Sequence, residues 1–161
     1  MPLATTPPQR AGDFGAMPNS NKKKILVVDD DAVVIRALSI KLKANGFDVL
    51  VAKEGGEAIR VVRTERPDLI LLDISFPVNV NTVSWDGFLI MEWLKRVQEA
   101  DQVPIIVISS GNSEKNKLRA REAGAVAFFH KPINHNELFS YIRRKLNLKS
   151  ATPTRVYRPR P

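Results

Sequence analysis

Five polar side chains interrupt runs that are otherwise apolar. Asp29 and Asp30 follow Ile25-Leu26-Val27-Val28, and Asp73 sits near the end of the run 69–74. Ser109 closes Ile105-Ile106-Val107-Ile108, and Lys131 comes just after Ala127-Phe128-Phe129-His130. Three carboxylates held together repel one another and need a cation or a raised pKa. The chain has no cysteine, so an all-oxygen donor set is the one on offer, and it favours a hard ion. Mg2+, which keeps some of its waters and joins carboxylates to phosphate oxygens, fits such a set best. A lysine opposite adds fixed positive charge for an anion, and a hydroxyl adds a hydrogen bond to it. Together these groups make a phosphoryl-transfer site whose nucleophile is a carboxylate that becomes an acyl phosphate.

The chemistry holds only if the fold brings the five together, and the pattern between them says how. Continuous apolar runs suit strands covered on both faces. Helical stretches alternate with them. The first carries Val34, Leu38 and Leu42 on one face and stops at Asn45-Gly46. A second strand follows from the alternation of Phe47, Val49 and Val51, and a second helix from Ala58, Val61 and Val62, closed by Arg66-Pro67. Asp86-Gly87 opens a third helix with Phe88, Met91 and Leu94 aligned. A polar fourth spans 113–123 with Gly124 as its stop. Asn134 with Glu137 forms a capping box before Leu138, Ile142 and Leu146. Five strand–helix units predict an α/β fold: a doubly wound, five-stranded parallel sheet with helices on both faces and right-handed crossovers. The flavodoxin-like strand order 2-1-3-4-5 is the one expected at this length. In a parallel sheet every carboxyl end lies on one edge, and ligands bind there where the strand order reverses. Strands one and three flank that point, so Asp29, Asp30 and Asp73 are expected to converge.

The length, 161 residues, matches one domain. We expect a disordered tail over 1–21, a domain over 22–148 and a basic, proline-rich disordered tail over 149–161. The net charge of +8 lies at the ends. Lys22, Lys23 and Lys24 contribute three charges; Lys149, Arg155, Arg158 and Arg160 contribute four. The stretch between is nearly balanced, so no nucleic-acid groove is read in the domain and no direct DNA binding is expected. No apolar run approaches the roughly 20 residues of a membrane span and no secretory h-region precedes the domain. A cytoplasmic setting without membrane contact is the expectation.

Residues 23–147 resemble a bacterial response-regulator receiver domain. The segments that carry the resemblance are Ile25-Leu-Val-Val-Asp-Asp-Asp31, Leu71-Leu-Asp-Ile-Ser-Phe-Pro77, Asp86-Gly87, Ile105-Ile-Val-Ile-Ser-Ser110, Ala123-Gly-Ala125 and His130-Lys-Pro132. None is specific alone; their order and spacing are. The resemblance implies that Asp73 accepts a phosphoryl group from a sensor histidine kinase or a histidine phosphotransfer protein. It implies Mg2+ on Asp29, Asp30, Asp73 and the backbone carbonyl of Ser75. Ser109 then matches the switch hydroxyl, Lys131 the family's lysine and Phe128 its switch aromatic. A stand-alone signalling switch, not an enzyme, is implied, because only 13 residues follow Leu148; its downstream partner is an unspecified protein. A receiver independent of phosphorylation usually lacks one of these residues, and none is missing.

Other readings are weaker. A haloacid-dehalogenase-type phosphatase also uses a strand-end aspartate, with a second aspartate two positions on; here Ser75 stands there. A flavin-binding flavodoxin would not place three aspartates in its phosphate loop, and no glycine-rich P-loop is present. Asp31 reads as a helix N-cap, Trp85 and Trp93 as packing anchors, His130 as structural or exposed and His135 as solvated. Eight residues separate Pro77 from Asp86, against two or three as is common in the family. That loop, 78–85, carries no charged side chain, so it is expected to tune the site and not to build it.

Overall fold

The computed structural model describes residues 21–75, 86–111 and 114–149. Five strands and five helices alternate: β1 (Lys24–Val28), α1 (Ala32–Ala44), β2 (Asp48–Ala52), α2 (Gly55–Glu65), β3 (Leu69–Asp73), α3 (Gly87–Lys95), β4 (Ile105–Ser109), α4 (Glu114–Glu122), β5 (Ala127–His130) and α5 (His135–Lys145). A 3-10 turn, Gln98–Ala100, follows α3. All strand pairs are parallel, in the order β2-β1-β3-β4-β5. The doubly wound architecture and the strand order expected from the sequence are both present. Apart from Asn21 and Lys149, the two tails lie outside the described residues, as does the loop 78–85.

Period-two alternation splits the core into two layers. Ile25, Val27, Leu69, Leu71, Ile106 and Ile108 face α1 and α5, where Leu38, Leu42, Leu138 and Ile142 are buried. Leu26, Val28, Ile70, Leu72 and Val107 face the other layer, with Ala58, Val62, Met91 and Leu94. β1, β3 and β4 are buried along nearly their whole length, whereas the edge strands β2 and β5 are half-buried. Two details depart from the sequence reading. In α1 the buried residue of the first turn is Ile35, and Val34 is only partly covered. Trp93, read as a packing anchor, is 44% exposed on α3, with the Arg96 guanidinium 5.8 Å from its ring.

Helix ends follow the expected chemistry. Asp31 Oδ1 accepts from the N–H of Val33 at 2.8 Å and of Val34 at 3.4 Å, which caps α1. Asp86 Oδ1 accepts from the Leu89 N–H at 2.7 Å and starts α3; Asn134 Oδ1 accepts from the Glu137 N–H at 3.3 Å and starts α5. Gly46, φ +87°, takes the left-handed conformation that lets the chain leave α1 for β2. α4 is held least: Ala120 is its one buried residue among those described, and Leu118 is 55% exposed.

Gly87 sets the distance between α3 and the end of β3. A Cβ there would overlap the Ile74 Cα and lie 2.7 Å from its Cγ2. Ile74 is mostly buried and directly follows Asp73, so the conflict cannot be relieved without moving the strand end. Gly87→Ala should therefore destabilise the fold by about 1–3 kcal/mol. Denaturant titration measures this; an unchanged midpoint would mean that the two backbones are not in contact.

Candidate functional site

Register alone brings the polar residues level. Val28 pairs with Leu72, so the next residues, Asp29 and Asp73, stand side by side at the ends of neighbouring strands. Asp73 pairs with Ile108, which puts Ser109 one step further along β4. Ser109 pairs with His130, and the Lys131 N–H donates to the Ser109 carbonyl at 2.9 Å. The ends therefore form a staircase, and the long lysine stem spans the remaining distance back across the sheet.

The outcome is a buried ion cluster. Asp29 and Asp73 are 2% and 4% exposed; Asp30 beside them faces solvent. Lys131 Nζ donates to Asp73 Oδ2 at 2.8 Å and to Asp29 Oδ2 at 3.3 Å. The remaining oxygens are also held. Asp73 Oδ1 accepts from the Ser75 N–H at 2.7 Å, and Asp29 Oδ1 from the Asp31 N–H at 2.9 Å. One carboxylate oxygen from each of Asp29, Asp30 and Asp73 lies within 4.8 Å of the others. Three carboxylates against one ammonium leave the cluster net negative. Neither histidine nor cysteine enters it. Such an oxygen-only, anionic donor set fits Mg2+ and does not fit a soft metal.

The protonation equilibria carry the same imbalance. Burial pushes the Asp29 carboxyl up from 3.8 to about 6. The neighbouring Asp73 charge adds to this, while the Asp31 N–H and the Lys131 ammonium work against it. For Lys131, burial favours the neutral amine, but the hydrogen bond to Asp73 and the two carboxylate charges outweigh it, so its pKa is raised. The Asp29 shift has a stability consequence of definite sign. The folded state binds this proton more tightly than the unfolded chain, so stability falls as pH rises from about 4 to about 6 and the full cost is present at pH 7. In chelator-containing buffer at pH 7, Asp29→Asn should stabilise the fold by about 2 kcal/mol. The gain should fade below about pH 4, where both states of the wild-type carboxyl are protonated. Equal midpoints for the two proteins at pH 7 would contradict this electrostatic picture.

Ser109, 1% exposed, is the third buried polar residue at this edge. Its Oγ accepts from the Gly111 N–H at 3.1 Å and lies 3.4 Å from the Ser75 Oγ. Phe128, level with Val107 on β5, is half-buried against the α2–α4 layer, with its ring edge-on to His130 at 5.5 Å. It is thus near Ser109 in the sheet but on the helix side of the edge. His130 is exposed, and His135 is partly covered, its Nδ1 3.2 Å from Lys41 Nζ.

One feature was not anticipated from the sequence: the side chain of Ser75 and its neighbour Ser110. The Ser75 Oγ accepts from the Ser110 N–H at 3.3 Å and from the Ser110 hydroxyl at 3.1 Å. In the sequence, Ser110 stands out only as the last residue of the segment Ile105–Ser110 that carries the resemblance. The register contains the signal, since Asp73 pairs with Ile108 and each serine lies two residues further on.

The sequence model described as the response regulator receiver domain matches residues 25–143. The chain is similar to a CheY-like response regulator receiver domain protein from Methanospirillum hungatei, at 28% identity over 78% of this chain and 94% of that one, with a TM-score of 0.69. Chemotaxis protein CheY4 of Vibrio cholerae is 26% identical over 76% of this chain and 98% of its own, with a TM-score of 0.68. The receiver domain of sensor histidine kinase PA1611 from Pseudomonas aeruginosa has a magnesium ion coordinated in its active site cleft. It is 25% identical over 78% and 98%, at a TM-score of 0.68. With the family match spanning well over half of its length and the fold shared with these structures, the chain belongs to the response regulator receiver domain family, the CheY-like signalling modules of two-component systems.

Proposed function

We propose that residues 22–148 form a phosphorylation-dependent receiver. In it, Asp73 takes a phosphoryl group from a histidine kinase or a histidine phosphotransfer protein, and the modified domain presents an altered surface to a downstream partner in the cytoplasm. The observation that carries this reading is the Asp73 carboxylate, buried at the crevice end of β3, in direct contact with an ammonium and within a cluster of two further acids. An Asp73 carboxylate oxygen forms the new bond to phosphorus. The donor's bond from phosphorus to imidazole nitrogen breaks, and the leaving imidazole is protonated from solvent. The free nucleophile needs both its charge and an approach for an anionic donor, which a net-negative cluster opposes.

Asp29, Asp30, Asp73 and the backbone carbonyl of Ser75 would hold Mg2+. When bound, the ion supplies positive charge that offsets the carboxylates and the phosphoryl oxygens. The magnesium described in the PA1611 receiver supports this assignment. Lys131 offers its ammonium to the transferred group, and Ser109 offers a hydroxyl. Phe128, half-buried beside β4, is the side chain whose packing changes when Ser109 moves.

Incubation with acetyl phosphate and Mg2+, followed by intact mass measurement, tests the reading. One phosphoryl group should be gained, and chelator should prevent the gain. Folded protein that gains none in the presence of Mg2+ would instead be a receiver that works without phosphorylation.

A further inference from the structure

We propose that Ser75 is a positioning residue: its hydroxyl fixes Ser109 as a hydrogen-bond donor toward an anion on Asp73. The inference rests on the phosphoacceptor reading of Asp73 and concerns how its neighbours are prepared. A serine hydroxyl has one proton to give and two lone pairs to fill. The Ser75 Oγ accepts from the Ser110 N–H at 3.3 Å and from the Ser110 hydroxyl at 3.1 Å, so both of its lone pairs are occupied. Its own proton is left to give, and the Ser109 Oγ stands 3.4 Å away. Ser109 in turn accepts from the Gly111 N–H at 3.1 Å. With Ser75 as its second donor, Ser109 has no lone pair free. The one hydrogen-bonding capacity that it keeps is its proton.

That proton is what a phosphoryl oxygen accepts. Ser75 is also tied to the acceptor itself, because its backbone N–H donates to Asp73 Oδ1 at 2.7 Å. A single residue therefore touches the buried carboxylate through its main chain and the buried hydroxyl through its side chain. Ser110 completes the arrangement by fastening the loop after β4 to the end of β3. Without the Ser75 hydroxyl, Ser109 regains a free lone pair and can turn its proton elsewhere. Part of its hydrogen-bonding capacity would then repel an anion.

The test measures initial phosphorylation rates with acetyl phosphate at saturating Mg2+ in the full chain. The variants are Ser75→Ala, Ser75→Thr, Ser109→Ala and the double variant Ser75→Ala with Ser109→Ala. Ser75 is exposed, and alanine keeps its backbone N–H and carbonyl, so the substitution isolates the hydroxyl. Ser75→Ala should slow labelling roughly three- to tenfold, the scale of one hydrogen bond. Ser75→Thr, which keeps a hydroxyl, should recover most of that rate. The double variant should be no slower than Ser109→Ala, because the Ser75 hydroxyl, the one group that alanine removes, acts only through Ser109. A wild-type rate in Ser75→Ala, or a double variant whose loss is the product of the two single losses, would overturn the proposal while leaving Asp73 as acceptor. Failure of the wild type to take up phosphate would instead remove the phosphoacceptor reading itself.

Discussion

Asp73→Asn should reduce phosphoryl labelling to background while leaving the fold intact. Asparagine keeps the shape of the side chain and can still accept the Ser75 N–H and approach Lys131, but it has no anionic oxygen to attack phosphorus. The same substitution removes one of two buried carboxylates that share a single ammonium, so it should not cost stability in chelator-containing buffer. Intact mass after acetyl phosphate treatment reads the first effect and thermal unfolding reads the second. Phosphate retained by the asparagine variant at a wild-type rate would reassign the acceptor.

Lys131→Met should have the second largest effect, and in two readouts of different kinds. Nζ is the one side-chain cation among the described residues that contacts Asp29 and Asp73, at 3.3 and 2.8 Å. Its raised pKa means that the charge, and the stability it confers, is fully present at neutral pH and lost only at strongly alkaline pH. Removing it strands two buried carboxylates and should destabilise the metal-free protein at pH 7 by roughly 3 kcal/mol. Lowering the pH should shrink that loss, because the stranded Asp29 carboxyl, whose pKa burial already raises, can then take up a proton. Labelling should fall roughly a hundredfold with the loss of a preorganised cation at the transferring group. The sign of the stability effect is opposite to that of Asp29→Asn. A balanced cluster would not give opposite signs, so the pair of variants checks the charge count directly. A Lys131→Met protein as stable and as readily labelled as wild type would contradict both uses of the lysine.

Much of the fold could be read from the chain because its apolar runs are unambiguous. β1, β3 and β4 are short, continuous and buried; β3 and β4 end on the polar residues Asp73 and Ser109, and Asp29 directly follows β1. The placement of Asp29, Asp73 and Ser109 on one edge follows from that and from parallel connectivity. The chain alone was less informative where packing decides. Ile35 and Val34 are neighbours of equal character, and it is the packed helix that buries Ile35 together with Leu38 and Leu42. Trp93 is exposed because the apolar face of α3 is already filled by Phe88, Ile90, Met91 and Leu94. The 3-10 turn Gln98–Ala100 has no hydrophobic period to announce it. Hydroxyl contacts were the least legible of all. The Ser75–Ser110 link depends on the register of β3 against β4, and periodicity cannot supply a register between strands that are more than thirty positions apart.

The most direct measurement of the central claim locates the phosphate chemically. Protein treated with acetyl phosphate and Mg2+ is divided, one half is exposed to hydroxylamine, and both are digested and analysed by mass spectrometry. An acyl phosphate is cleaved by hydroxylamine, whereas a phosphate ester on serine or threonine survives. The account predicts one phosphoryl group, removed by hydroxylamine, on the peptide containing Asp73, and none when chelator is present. A phosphoryl group that resists hydroxylamine, or one on a peptide without Asp73, would contradict it.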